Sequence, residues 1–187
     1  MSHSTSKSDP LLQFLLLSSQ ERGSGSYQNT ITGTRRDDTL NGTNFNDKMQ
    51  GEAGDDVLKG SGGNDKLEGD VGDDILRGGN GDDLLEGGKG RDRLTGDQGS
   101  DVFIMHSSDA SARLNRTDII TDFEDGTDKL VLEGRISFAD IDVVQGTGAN
   151  AKNAIIEIQA TGEFLAVLQN VDAKTIRASD FTCSCSF

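Results

Sequence analysis

The stretch from Gly33 to Ile104 divides without gaps into eight blocks of nine. In order they read GTRRDDTLN (33–41), GTNFNDKMQ (42–50), GEAGDDVLK (51–59), GSGGNDKLE (60–68), GDVGDDILR (69–77), GGNGDDLLE (78–86), GGKGRDRLT (87–95) and GDQGSDVFI (96–104). Every block opens on Gly. The sixth place is always Asp: Asp38, Asp47, Asp56, Asp65, Asp74, Asp83, Asp92 and Asp101. The eighth is always large and apolar: Leu40, Met49, Leu58, Leu67, Leu76, Leu85, Leu94 and Phe103. A weaker block, SGSYQNTIT from Ser24 to Thr32, keeps only Asn29 and Ile31 at those places and starts the array.

A fixed short period is the mark of a stacked repeat architecture. Glycine at the first, second and fourth places supplies the backbone freedom for a turn, so the first half of each block turns. The remaining x-apolar-x is a strand of about three residues. Two blocks then make one coil, strand-turn-strand-turn, with one apolar side chain per strand pointing inside. The fold class expected is all-β, a parallel β-roll (a right-handed β-helix of nonapeptides) closed by a C-terminal β-strand cap. Turns on one edge are two blocks apart, so Asp38, Asp56, Asp74 and Asp92 line one edge, and Asp47, Asp65, Asp83 and Asp101 the other.

Carboxylates stacked about 4.8 Å apart repel by nearly 1 kcal/mol per neighbouring pair even in water. A cation must sit among them. Ca²⁺ takes six to eight hard oxygens in flexible geometry, while Mg²⁺ keeps its waters and Zn²⁺ wants His or Cys. The oxygens offered are the eight carboxylates and the carbonyls of the glycine turns: Gly51, Gly54, Gly60, Gly62, Gly63, Gly69, Gly72, Gly78, Gly79, Gly81, Gly87, Gly88 and Gly90. Between residues 33 and 104 there are 17 acidic and 9 basic side chains, a net −8 that four Ca²⁺ neutralise. Three gaps per edge cap the number at six, so roughly four to six ions are expected. The fifth place (Asp37, Asn46, Asp55, Asn64, Asp73, Asp82, then Arg91 and Ser100) reads as outward and secondary. With one inward apolar residue per nine, the core is too thin to offset chain entropy, and folding is expected to require metal.

The array resembles the repeats-in-toxin (RTX) family, whose Gly-Gly-x-Gly-x-Asp-x-apolar-x nonapeptide is a Ca²⁺-binding β-helix repeat. The stretch from Gly99 to Gly134 looks like the segment that follows such repeats in secreted members, here with Asp118, Ile120, Asp122 and Phe123, then Gly126, Asp128 and Leu130. ISFADIDVV and FLAVLQNVDAKTIRASDF extend the likeness to the C-terminal module of exported proteins and alginate epimerases. The resemblance implies a secreted, extracellular protein with an uncleaved C-terminal signal read by a type I secretion apparatus. Cys183 and Cys185 depart from the family's usual lack of cysteine.

The rest of the chain bounds the reading. It has 187 residues, net charge −14, 24 Gly and no Trp, a composition that argues against nucleic acid and anionic membranes as partners. The longest apolar run, Leu11 to Leu17, is too short for a membrane span and lacks signal-peptide flanks. The organisation expected is a leader over 1–23, a roll over 24–104, and a β-rich cap and signal region over 105–187. Cap strands are expected at Asp118 to Phe123, Lys129 to Leu132, Ile141 to Val144, Ala154 to Gln159 and Phe164 to Leu168. Asp118, Asp122 and Asp128 are candidates for one more ion, weighed against plain solvated turns. No catalytic motif appears, His3 and His106 being the only histidines, so the chain reads as a non-enzyme. Two alternatives stand beside a calcium-triggered folding and export module. One is a module binding an extracellular, alginate-like polysaccharide through Lys48, Lys66, Arg91 and Arg93, although Arg93 falls out of phase, with Val57, Ile75 and Leu84. The other is a C-terminal fragment of a larger secreted enzyme.

Overall fold

A computed structural model describes residues 26–134 and 136–183. The leader with its Leu11–Leu17 run, His3, Ser24 and Cys185 lie outside the described residues.

Nine strands follow the nonapeptide rhythm: β1 (Asn29–Thr32), β2 (Thr39–Asn41), β3 (Asp47–Gln50), β4 (Val57–Gly62), β5 (Lys66–Val71), β6 (Ile75–Asn80), β7 (Leu84–Lys89), β8 (Arg93–Gln98) and β9 (Val102–His106). Six more follow: β10 (Asp118–Ile120), β11 (Lys129–Glu133), β12 (Ile141–Gln145), β13 (Ala154–Ile158), β14 (Phe164–Leu168) and β15 (Phe181–Cys183). Among the described residues there is no α-helix, only short 3-10 turns. The chain is an all-β parallel solenoid, as the period dictates. Odd and even blocks feed different sheets, ordered β1-β3-β5-β7-β9-β11-β15 and β12-β13-β14-β10-β8-β6-β4-β2.

Repeat strands pair in parallel at an offset of 18 residues, Leu58 on Leu76 and Leu67 on Leu85. The eighth places therefore stack into one inner column from each sheet. Met49, Leu58, Leu67, Leu76, Leu85 and Phe103 are fully buried, and Ile120 and Leu130 continue the columns into the cap. A buried Leu contributes about 1.5–3 kcal/mol, whereas ordering nine residues of backbone costs on the order of 9–18 kcal/mol. The roll is underpowered by its apolar core alone.

Two features differ from the sequence reading. Strands β4 to β8 have six residues instead of about three. They run through the first-place glycine and pair again beyond it, Ser61 on Gly79 and Gly62 on Asn80. The second place sits there in the left-handed region, with φ of 84° at Ser61, 72° at Asp70 and 69° at Asp97. Secondly, the cap continues the solenoid: β10 pairs with β8 and β11 with β9, both in parallel. Antiparallel β12-β13-β14 then widens one sheet, and β15, a strand beyond those expected, ends the other.

Candidate metal centre

Each turn ends on its sixth-place Asp, whose carboxylate is folded back inside. Asp47, Asp56, Asp65, Asp74, Asp83, Asp92 and Asp101 are 0–2% exposed. One oxygen of each has a fixed duty. The backbone N–H of every sixth-place Asp donates to Oδ1 of the Asp one coil further on: Asp38 to Asp56 (2.7 Å), Asp56 to Asp74 (2.7 Å) and Asp74 to Asp92 (2.8 Å) on one edge. The other edge runs Asp47 to Asp65 (2.8 Å), Asp65 to Asp83 (2.8 Å) and Asp83 to Asp101 (2.9 Å). Asp118 and Asp128 end the two ladders, accepting from Asp92 (3.0 Å) and Asp101 (2.9 Å).

The second oxygen divides the array. In the glycine-poor first blocks, Thr34 N–H donates to Asp38 Oδ2 (2.7 Å) and Thr43 N–H to Asp47 Oδ2 (2.6 Å), each joined by its own hydroxyl. From the third block on these contacts vanish. Oδ2 of Asp56, Asp65, Asp74, Asp83 and Asp92 is buried without a hydrogen-bond partner. Leaving a carboxylate oxygen buried and unpaired is costly.

The first-place glycine marks where those oxygens converge. A Cβ on Gly51 would lie 2.5 Å from Asp56 Oδ2 and 2.7 Å from the Gly69 carbonyl oxygen. One on Gly69 would meet Asp74 Oδ2 and the Gly87 carbonyl oxygen, both at 2.5 Å. A side chain is excluded because the space belongs to a carboxylate oxygen and a carbonyl of the next coil. Hard anionic and carbonyl oxygens, with one negative charge per turn, fit Ca²⁺ and lack the nitrogen or sulfur that Zn²⁺ prefers. Among the described residues no three His, Cys, Asp or Glu side chains converge, so backbone carbonyls are needed to complete any coordination sphere.

Burial lifts the carboxyls of Asp65, Asp74 and Asp101 to about 7, that of Asp92 to about 6, and those of Asp83 and Asp118 to about 8. Neighbouring carboxylates add to the rise at most of these sites. These values exceed the unfolded value of roughly 3.9, so the metal-free roll binds more protons than the unfolded chain across the window between. Stability then falls as pH rises. With calcium chelated, β-sheet circular dichroism is expected to strengthen from pH 8 to pH 5. A flat profile would mean that the buried carboxyls do not oppose folding.

The fifth place is more than outward decoration. Asp55 N–H donates to Asp37 Oδ1 (3.0 Å), Asn64 to Asn46 (2.8 Å), Asp73 to Asp55 (2.9 Å), Asp82 to Asn64 (3.0 Å), Arg91 to Asp73 (2.9 Å) and Ser100 to Asp82 (2.9 Å). This ladder runs opposite to the sixth-place one, and it explains where Asp and Asn stop. Arg91 and Ser100 have no N–H to receive, because Thr117 and Thr127 N–H close local turns onto Leu114 and Glu124.

Asp118, Asp122 and Asp128 do not share a cage. Asp118 and Asp128 finish different ladders, and Asp122 accepts the N–H groups of Gly96 (3.0 Å) and Asp97 (2.8 Å). The basic stripe is also corrected. Lys48 and Lys66 are neighbours, but both clasp Glu68, at 3.4 and 2.5 Å. Arg93 stacks between Ile75 and Ile119 on the other sheet, and Leu84 stacks on Lys66. His106 bonds Glu86 (2.8 Å) and lies 3.6 Å from Glu133, tying β7 and β9 to β11. The Glu86 bond raises His106 and lowers Glu86.

A parallel solenoid with buried aspartate ladders on both edges is the architecture of a metal-binding repeat. Residues 24–44, 32–67, 41–76 and 68–103 match the RTX calcium-binding nonapeptide repeat in four copies. Residues 24–103 therefore belong to that family, whose repeats bind calcium and carry no catalytic function of their own. No curated protein matches the chain. Among solved structures, the R3 subunit of the Azotobacter vinelandii mannuronan C5-epimerase AlgE6 is 24% identical, with 86% of each chain covered and a TM-score of 0.45. The R2 subunit of the same enzyme is 25% identical, over 83% of this chain and 92% of that one, with a TM-score of 0.44. The extracellular lipase LipA of Serratia marcescens is 15% identical, over 86% of this chain and 41% of that one, with a TM-score of 0.39.

Proposed function

We propose that the chain is a calcium-triggered folding and export module. It stays unfolded where Ca²⁺ is scarce, inside the cell, and folds where Ca²⁺ reaches millimolar, outside it, so that folding makes export directional. The observation that carries this reading is the row of five buried carboxylate oxygens without partners, on Asp56, Asp65, Asp74, Asp83 and Asp92. We assign one Ca²⁺ to each of those turns, within the four to six expected. Carbonyls of the following coil complete each sphere, as the Gly69 and Gly87 carbonyls do for Asp56 and Asp74. The first two turns, whose Oδ2 is held by Thr34 and Thr43, take none.

In this reading residues 24–104 are the roll, 105–187 the cap with a signal for a type I secretion apparatus, and the protein is extracellular and non-catalytic. Deleting residues 170–187 is expected to abolish export from a host bearing such an apparatus while the protein still accumulates inside. Undiminished export would overturn the signal assignment.

A cleft favours polysaccharide binding as a second reading. It measures about 310 Å³ and is lined by Lys59, Ser61, Arg77, Gly78, Gly79, Asn80, Asp97 and Gln98. Arg77 is fixed by Asp97, while Lys59 lies beside it in the strand register. Retention on an alginate column in calcium, lost in Lys59→Glu, is the expected result. Equal elution of both proteins would remove the reading.

A further inference from the structure

The five turns with an orphaned carboxylate oxygen are alike at the sixth place and unlike at the fifth. Each sixth-place Asp has two fifth-place groups beside it, its own neighbour in sequence and the one from the coil before, which accepts that neighbour's N–H. Around Asp74 both are carboxylates, Asp73 and Asp55, joined at 2.9 Å. Around Asp56 they are Asp55 and Asp37, joined at 3.0 Å. Around Asp65 both are amides, Asn64 and Asn46, joined at 2.8 Å. Asp83 has one of each, Asp82 and Asn64 (3.0 Å), and Asp92 has Asp73 with the oppositely charged Arg91 (2.9 Å). The sixth-place carboxyls feel the difference: burial raises those of Asp56 and Asp74, and the Asp55 charge adds to the rise at both. At Asp65 burial acts together with the charge of Asp47.

Asp and Asn make the same fifth-place hydrogen bond, so the ladder itself is served by either. What differs is charge. We propose that the fifth place sets calcium affinity turn by turn, the Asp56 and Asp74 turns being the tight sites and the Asp65 turn the weak one. The proposal rests on the calcium reading above and deepens it. Affinity for a divalent ion rises with the charge gathered around it. A unit charge at the range of a neighbouring residue changes that affinity on the order of threefold to tenfold in physiological salt. Two carboxylates against two amides therefore separate the Asp74 and Asp65 turns by at least about tenfold. Asp56 and Asp74 lie on one edge of the roll and Asp65 on the other, so as calcium rises one edge fills ahead of its opposite.

The test is calorimetric titration of the full chain with Ca²⁺ at about 0.15 M and about 1 M KCl, comparing the native protein with Asp55→Asn/Asp73→Asn and with Asn46→Asp/Asn64→Asp. Both variants keep an acceptor for every fifth-place N–H. In the lower salt the first is expected to weaken the tight phase at least about tenfold, and the second to tighten the weak phase by a similar factor. The higher salt cuts the screening length to about 3 Å and should shrink both shifts below about threefold. Unshifted binding in either variant would overturn the proposal. So would shifts that persist undiminished in the higher salt, which would place the effect in the hydrogen-bonded ladder instead of its charge. Native protein that takes up no calcium would sink the calcium reading itself and this proposal with it, whereas failure of the variants alone sinks only the proposal.

Discussion

Chelating calcium is expected to remove most of the β-sheet signal and expand the chain, and returning Ca²⁺, but not Mg²⁺, to restore both. The size of the effect follows from the shortfall of the core. A site filled at a hundred times its Kd contributes about 2.7 kcal/mol, so five sites contribute on the order of 13 kcal/mol, comparable to the whole stability of an ordinary domain. The aspartates should not count equally. Asp74→Asn keeps an acceptor for the Asp56 N–H but removes the charge at the orphaned Oδ2, and is expected to raise the calcium midpoint on the order of tenfold or more, since even outer-shell changes cost that much. Asp38→Asn, whose Oδ2 is already held by Thr34, should shift it little. Circular dichroism and sedimentation during a calcium titration read both. A spectrum indifferent to chelator would show that the cap folds the roll unaided, and the export switch would be abandoned.

Gly90→Ala is expected to be among the most damaging small substitutions in the roll. Gly90 has φ of +138°, and an added Cβ would overlap the carbonyl oxygen of Gly72 in the coil before it. The two nearest atoms are Gly72 backbone, which cannot swing aside, so the coils must separate where the ladders need them close. A loss of at least about 3 kcal/mol follows from strain and clash together. Gly126→Ala is the control, because its φ is +82° with nothing within 4 Å, and it should cost only the left-handed penalty of roughly 1–2 kcal/mol. Urea unfolding in saturating calcium compares the two. Equal losses would mean that coil spacing is not set by the fourth-place glycine. Arg36 and Phe45 stand at the same place in the first two blocks without a positive φ, so the close approach begins at Gly54.

What could be read from the residues, and what could not, divides along the number of coils an interaction spans. The inner columns were legible because each needs one strict apolar place, Leu58 or Leu76, in a strict period. The sixth-place aspartates were legible as a ladder for the same reason. Their unequal roles were not, because whether Oδ2 is orphaned depends on Thr34 and Thr43, ordinary turn residues until their N–H and hydroxyl groups are seen to point at a carboxylate. The fifth-place ladder had a signal that could have found it: Asp or Asn persists through Asp82 and stops two blocks before the array ends, as a group serving the next coil must. The basic stripe failed because stacking Lys48 on Lys66 also brings Glu68 beside both. β15 had a signal, since Phe181, Thr182 and Cys183 alternate apolar and polar, but a strand of three residues becomes legible only once β11 offers it an edge.

The alternation of blocks between two sheets also governs how such a roll changes length. β10 lies on β8 and β11 on β9, so each cap strand must meet the sheet of matching parity. Inserting or losing a single nonapeptide would deliver the chain to the cap from the wrong side and exchange the partners of both strands. Adding or removing eighteen residues would leave every partner in place. Duplication within such an array is therefore tolerated in whole coils, and the roll behaves as a rod whose length is counted in pairs.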